Sequence, residues 1–472
     1  MSDAVSESAI ASAGHRVIVS AQQSPVSPSL ALPRVGVVLA AGRSERLAGV
    51  TGGGSKALVR VGGLALVERA VRTLLGAGVE KVVVVVGYQA GPVAAVVNRL
   101  AHGHVRAIYA EHWELGNGSS LAAAEEAVDG KPFLLVTADH VFGEGALAPL
   151  ALAGRPAVLV DHAPDPDAWA EGTRVRLREE DAVAFSKELG DPSIDCGAFL
   201  LPATVFDAQR RAAARGDNSL AGAITELATE DPLAAVALPA GCWWQDVDTP
   251  EDLGRARALL RRSLSKETDG PVSRYLNRPM STRLSFAVAP LRPHPDLLSV
   301  LGVALAAVAA WALASGLGVA GAVLVHATSV LDGMDGEAAR LQLRSSPGGA
   351  LLDGFLDRVA DAVILAGLVV WSLAQGNDPT LTSVLVVAAT TGAMLSMATK
   401  DRMAALGLPP APERGLGFLL GGRDGRLLLI AVAALLGRPQ WALAAVVTTA
   451  AVSLSLRLVI ARLWASRLSP AP

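Results

Sequence analysis

From Leu297 to Val319 the chain runs through 23 residues without a charged side chain. That is long enough to cross the hydrocarbon of a bilayer as a helix. In lipid no water satisfies the main chain, so such a segment has to be a helix or part of a closed barrel. Similar runs cover Ala320 to Ala339, Ala350 to Leu373, Leu381 to Ala398, Phe418 to Leu436 and Trp441 to Ile460, the fifth of them interrupted by GGRDGR. The pattern predicts six transmembrane helices within residues 296–465, followed by a short tail, 466–472.

The half before them has a different character. Short apolar runs such as VGVVLAAG, KVVVVVGY and FLLVTADH alternate with amphipathic stretches, among them ALVERAVRTLLGAG with Leu66, Ala70, Val71 and Leu74 at helical spacing. Apolar runs bounded by turns and separated by helices read as buried strands of an α/β sandwich with a mostly parallel, Rossmann-like sheet. That domain is expected over 33–262. Residues 1–32, rich in Ala, Ser and Pro, read as a disordered tail rather than a signal peptide. Residues 263–295 read as a linker and a basic amphipathic helix, with Arg274, Arg278 and Arg283 among Leu276, Leu284, Phe286 and Val288, lying at the membrane surface. A mean hydropathy of +0.41 with only 4% aromatic residues is the average of these two halves.

A formal net charge of −3 offers no bulk basic field, so nucleic acid is not an expected partner. Two cysteines, Cys196 and Cys242, are too few for a disulfide framework or a four-ligand zinc site and are expected to be reduced.

With the first domain in the cytosol, the connections after spans two and four are cytosolic as well. They hold Arg340, Arg344, Lys400, Arg402, Arg414, Arg423 and Arg426, whereas the opposite connections offer only Arg438. The positive-inside rule therefore places both ends in the cytoplasm of a multi-pass protein of the cell (inner) membrane.

Four carboxylates stand at the cytosolic ends of spans two and three. Asp332 and Asp335 are three apart and Asp353 and Asp357 four apart, so each pair shares a helical face. Left without cations, four such groups repel one another; one or two divalent ions hold them ionised, and carboxylate oxygens select hard ions such as Mg²⁺ or Mn²⁺. The full pattern is DxxDGxxAR, eight residues, then GxxxDxxxD. It resembles the CDP-alcohol phosphotransferase family at Asp332, Asp335, Gly336, Ala339, Arg340, Gly349, Asp353 and Asp357. The resemblance implies a six-helix membrane enzyme, a homodimer through its membrane domain, that transfers a phosphoryl-alcohol from a CDP-alcohol to a hydroxyl and releases CMP. It implies metal ligation by Asp332, Asp335, Asp353 and Asp357, a general-base role for Asp357, and nucleotide contacts from Gly336, Ala339 and Arg340. The second phosphate needs cations near the cytosolic face, and Lys400, Arg402, Arg414, Arg423 and Arg426 are all candidates, with Lys400 and Arg414 taken as its ligands. The bland alternative for intramembrane acids is an ion path in a transporter carrying a nucleotide-sensing domain. His326 reads as a packing residue.

In the first domain, LAAGRSERL follows a strand and Lys56 follows in GGGSKAL; a glycine turn after a strand offers backbone amides to phosphate. These segments resemble the sugar-phosphate nucleotidyltransferase family, with Ser44 at a usual glycine and Ala57 at a usual proline. That resemblance puts Leu39, Ala40, Ala41 and Gly42 around the nucleotide, Arg46 and Lys56 on the triphosphate as catalytic cations, and Gly116, Asn117 and Ser119 of GNGSSL by the base. Asp139 of VTADHVF and one of Asp246 and Asp248 in WWQDVDTPEDL, with Asp248 preferred, would hold Mg²⁺. Lys187, before SIDCGAFLL, is a candidate for the acceptor phosphate.

A cytidylyltransferase makes what a CDP-alcohol phosphotransferase consumes. The fused order resembles a family of bifunctional enzymes that convert CTP and inositol 1-phosphate to CDP-inositol and then join CDP-inositol to a second inositol 1-phosphate. A fused pair serving another alcohol, for a phospholipid headgroup, is the alternative.

Overall fold

The structure, a computed structural model, describes residues 33–43, 46–100, 103–266, 269–405 and 422–468. The expected tail at 1–32, residues 469–472 of the one expected at 466–472, Ser44 and Arg414 lie outside the described residues, and the last helix runs on to Leu468, into that second tail.

The first half is built on a nine-stranded sheet. Its strands are β1 (Val35–Ala40), β2 (Lys81–Val86), β3 (Val105–Tyr109), β4 (Phe133–Thr137), β5 (Ala157–Asp161), β6 (Arg174–Arg178), β7 (Asp181–Ser186), β8 (Ile194–Leu201) and β9 (Leu233–Ala237), in the order β3-β2-β1-β4-β8-β5-β9-β7-β6. β1, β2, β3 and β4 are mutually parallel, and β1 is buried at all six positions. This is the coverage on both faces that continuous apolar strands require. The mostly parallel sheet expected from sequence is corrected beyond β4. β8 runs antiparallel to both β4 and β5, and β7 is antiparallel to β6 and β9. For the β6–β7 pair the cause is a connection too short for a crossover: only Glu179 and Glu180 join the two strands, and Glu179 takes φ 57°, so the pair closes as a hairpin.

Around the sheet pack α1 (Leu66–Gly76), α2 (Asn117–Ala122) and α3 (Pro250–Ser263), among others. α3 starts on a capping box in which Thr249 and Asp252 satisfy each other's backbone amides, with Pro250 in the first turn.

The second half is helical: α4 (Arg278–Val288), α5 (Pro295–Ala314), α6 (Gly318–Leu341), α7 (Pro347–Ala374), α8 (Pro379–Ala405), α9 (Arg423–Leu435) and α10 (Pro439–Leu468). Three of these are long and apolar enough to cross a membrane: α5, and the segments Pro379–Met403 of α8 and Pro439–Trp464 of α10. Trp311, Val387 and Leu458, which a helix in water would bury, are exposed on them. α6 and α7 carry the acids.

α4 packs on α6 through a buried polar cluster. Glu337 accepts from Arg278 Nη1 (2.8 Å), Ser281 Oγ (2.6 Å) and Ser285 Oγ (2.7 Å), while Asp269 accepts from the other edge of Arg278 at 2.9 and 3.1 Å. Burial lowers the affinity of the Arg278 guanidinium for its proton, but the Asp269 and Glu337 carboxylates outweigh it and raise the pKa.

The halves are joined by side chains from both. Leu47, Val61, Leu66, Leu253 and Leu260 share an apolar cluster with Ala289 and Leu341. The turn at Gly62 and Gly63 (φ 58° and 85°) presses on this seam, and a Cβ at Gly63 would collide with the carbonyl of Ala289. Arg69 Nη2 donates to Leu341 O and Arg72 Nη1 to Gln342 O, at 2.8 and 2.9 Å, and Arg292 pairs with Glu68 at 2.7 Å. The last carbonyls of a helix have no partner within it; here α1 of the first half supplies donors to the end of α6. Burial pulls Arg69 down to about 10, against the opposing pull of Glu68.

Candidate active sites

The parallel strands end on one edge, where α/β sheets bind ligands. Ala41 and Gly42 follow β1, Asp139 follows β4, and Lys56, buried in a short 3-10 turn, reaches across to them. Its Nζ lies 2.9 Å from Asp139, 3.8 Å from Asp246 and in contact with Asp248; Arg46 pairs with Asp248 and, at 3.3 Å, with Glu171. Burial opposes charge on Lys56, yet Asp139, Asp246 and Asp248 together outweigh it and keep the ammonium protonated. Burial likewise raises Asp139, but Lys56 and His140 hold it well below the usual carboxylate range. Asp246 goes the other way, to about 6, because burial and the charge of Asp139 exceed the pull of His140 and Lys56.

His140 is a site residue that sequence reasoning passed over. Its Nδ1 lies 2.8 Å from Asp139 and 2.7 Å from Thr137 Oγ1, and its ring stacks on Trp244 at 5.4 Å. Burial disfavours its charged form; Asp246 and Asp139 outweigh that and bring it to about 9. The signal was a glycine inside a strand. Gly197 of β8 has φ 70°, and a Cβ there would lie 2.7 Å from the His140 ring, so the strand bulges to admit the imidazole.

Two cavities meet at this edge. One of about 460 Å³ is lined by Leu39, Ala40, Gly42, Arg46, Lys56 and Asn117; the other, about 870 Å³, by Gly116, Asp161, Lys187, Asp195, Gly197 and Trp244. Thr137, Asn117, Asp139 and Asp248 line both. Ala41 O accepts from Tyr88 N (2.9 Å), and Ser119 Oγ donates to Asn218 (3.4 Å). The geometry suits a reaction between two ligands whose reacting groups meet beside Asp139. The donor set fits a divalent cation, since Asp139, His140 and Asp246 each offer a ligand atom within 4.8 Å of the others. Asp248, the acid preferred from sequence, is not in that group; it contacts Lys56 and Arg46.

The second site lies between α6 and α7. Asp332, Asp353 and Asp357 bring one oxygen each within 4.8 Å of one another, an all-carboxylate set that fits a hard divalent ion. Asp335 accepts from Ser299 Oγ at 2.5 Å. Arg423, at the start of α9, reaches into the group, touching Asp332 and lying 2.9 Å from Asp357 and 3.0 Å from Asp361; Arg426 lies 3.1 Å from Asp361. The remaining space among the acids is about 10 Å³, little more than a water fills. Gly336 lies one turn before Arg340, whose Nη2 donates to Leu264 O (2.8 Å), and Ala339 sits between them on α6. Gly349 N is capped by Ser346 Oγ at 3.0 Å at the start of α7. Lys400 is exposed near the end of α8.

Residues 36–239 match the MobA-like NTP transferase domain family, and residues 292–420 the CDP-alcohol phosphatidyltransferase family. A bifunctional IPC transferase and DIPP synthase of Rubrobacter xylanophilus is 39% identical over 417 residues, which cover 86% of this chain and 92% of that one. One of Thermococcus kodakarensis is 35% identical over 405 residues, 84% of this chain and 89% of the other. Among solved structures, the inositol-1-phosphate CTP transferase from T. maritima aligns with 50% of this chain and 97% of its own, at 25% identity and a TM-score of 0.44.

Proposed function

The chain belongs to the family of bifunctional IPC transferases and DIPP synthases, and on that premise we propose that it joins CTP to inositol 1-phosphate, giving CDP-inositol and pyrophosphate, then transfers the inositol phosphate of CDP-inositol to a second inositol 1-phosphate, giving di-myo-inositol phosphate phosphate and CMP. The observation that carries the reading is the coexistence of two acid-centred sites of different construction, one at the edge of the sheet and one between two helices.

In the first reaction an oxygen of the acceptor phosphate attacks the α-phosphorus of CTP in line with departing pyrophosphate. Lys56 and Arg46 hold the triphosphate and spread the charge that develops on it. Leu39 to Gly42 supply the turn around the phosphates, Gly116, Asn117 and Ser119 the base contacts, and Lys187 the acceptor phosphate. Asp139, with Asp246 or Asp248, would hold Mg²⁺ or Mn²⁺. When Lys56 is drawn to phosphate oxygens, its carboxylate partners are freed for that ion.

In the second reaction Asp357 takes the proton of the acceptor hydroxyl while CMP leaves. Asp332, Asp335, Asp353 and Asp357 would hold one or two divalent ions, and Gly336, Ala339 and Arg340 the nucleotide. Arg423 must withdraw from Asp357 for that carboxylate to accept a proton. Lys400 and Arg414 are assigned to the second acceptor phosphate. At both sites the bound cation supplies charge neutralisation and orientation of phosphate oxygens.

We assign α5 to α10 as six spans in the cell membrane, with the sheet domain and both termini in the cytoplasm and with a second copy paired through the membrane domain. Mass spectrometry of the products made from CTP, inositol 1-phosphate and Mg²⁺ tests the reading; appearance of neither CDP-inositol nor the phosphorylated di-inositol product would sink it.

A further inference from the structure

Where the two halves meet, a cavity of about 420 Å³ opens between them, within the size range of small-molecule sites. Its wall carries three cations, Arg69, Arg262 and Arg340, against one carboxylate, Glu144. Two donors of lining residues, Trp243 Nε1 and Arg340 Nε, are buried and have no hydrogen-bond partner among the described residues. Buried donors are rarely left so; a ligand rich in acceptors, and negative, would satisfy both the donors and the arginines.

The position of the cavity identifies that ligand. Cys242, Trp243 and Leu259 line it on one side and the 870 Å³ cavity of the first site on the other, so one layer of side chains separates the two spaces. Arg340, also on its wall, folds back along α6, its Nη1 3.3 Å from where a Cβ on Gly336 would stand. That is one residue from Asp335 of the second site. The cavity thus abuts the larger cavity of the first site through Cys242, Trp243 and Leu259 and the motif of the second through Arg340, between elements that Arg69 and Arg72 clamp together.

We propose that this cavity binds the nucleoside diphosphate alcohol formed at the first site and passes it to the second without release to solvent. The inference rests on the bifunctional reading above. It makes no new bond; the ligand's pyrophosphate exchanges one set of cations for another, with Trp243 as the side chain that must move.

The test uses the full chain in lipid nanodiscs, CTP labelled at its α-phosphate, inositol 1-phosphate, and about a ten-fold excess of unlabelled CDP-inositol over the amount made, so that handover within one molecule competes with a free pool. The α-phosphate ends in CMP. Direct passage leaves label entering CMP at half or more of its rate without the added pool, and free mixing lowers that rate about ten-fold. Ser265→Trp, on the cavity wall and outside both sites, should leave each half-reaction, assayed alone, within about two-fold of the parent and restore full dilution; Arg262→Glu should also increase dilution. Full dilution in the parent, or label retention unmoved by Ser265→Trp, overturns the proposal. If neither half-reaction runs when assayed alone, the bifunctional reading itself fails, and the passage with it.

Discussion

Arg69 Nη2 of the sheet domain lies 2.8 Å from the main-chain oxygen of Leu341, at the end of the helix that carries Asp332 and Asp335. The same guanidinium donates through Nε to Val61 O at 2.8 Å, so one buried side chain satisfies a carbonyl in each half. Arg69→Met keeps much of the apolar stem and removes both donors. Each carbonyl left buried without a partner costs about 1–3 kcal/mol. The substitution should lower the melting temperature and expose the segment between Leu264 and Arg278 to a protease concentration that leaves the parent intact. Unchanged cleavage would show that apolar contact alone docks the halves.

Gly197 decides whether His140 can sit against Asp139. With φ 70° and a prospective Cβ 2.7 Å from the imidazole and 2.8 Å from Thr137 Oγ1, Gly197→Ala meets both backbone strain, about 1–2 kcal/mol, and a collision with a ring held by hydrogen bonds. CDP-alcohol synthesis should fall at least about ten-fold, the equivalent of roughly 1.4 kcal/mol in the barrier. CMP release from supplied CDP-inositol should be unaffected. A matching fall in both reactions would show that the damage is to the fold as a whole.

Glu337 is fully buried and takes three donors, from Arg278, Ser281 and Ser285. Glu337→Gln preserves shape but removes the charge opposite Arg278 and turns an amide group toward donors. Breaking a buried ion pair on one side costs about 3–5 kcal/mol; since Asp269 still pairs with Arg278, the lower end applies. Thermal unfolding of the full chain in detergent should report it. A loss below about 1 kcal/mol would mean that Asp269 alone suffices to hold α4 on α6.

What could be read from the sequence was whatever sits at fixed spacing on one element. Asp332, Asp353 and Asp357 share helix faces, and Lys56 and Asp139 stand just past strand ends, so local periodicity sufficed to bring them forward. Arg423 and Arg69 depend on partners supplied by other elements, and His140 on the room that Gly197 of β8 leaves for its ring; Arg69 meets Leu341 272 positions away, and no local pattern encodes that. Strand direction failed for a related reason. A fully apolar run such as FLL in β8 looks the same whichever way its neighbour runs, and only the two-residue link after β6 betrayed an antiparallel edge.

The two sites divide the labour, and the division can be tested with one substitution in each. Lys56 lies against Asp139, Asp246 and Asp248 together; Lys56→Ala removes one of the two charges that hold the triphosphate and leaves those carboxylates to Arg46 and His140. CDP-inositol formation should drop by about 10²-fold or more, the order seen when one preorganised charge-stabilising group is lost, while added CDP-inositol restores the final product. Asp357, 2.9 Å from Arg423, lies in the other half. Asp357→Asn keeps its size and removes a base and a metal ligand together, so CMP release should fall by about 10²-fold or more while CDP-inositol accumulates from CTP. With its own second site blocked, Asp357→Asn should spill the accumulated CDP-inositol to solvent, so mixing it with Lys56→Ala should recover a part of the final product after a lag in which that free pool builds up. Loss of both half-reactions in either folded variant would show that the sites do not work separately.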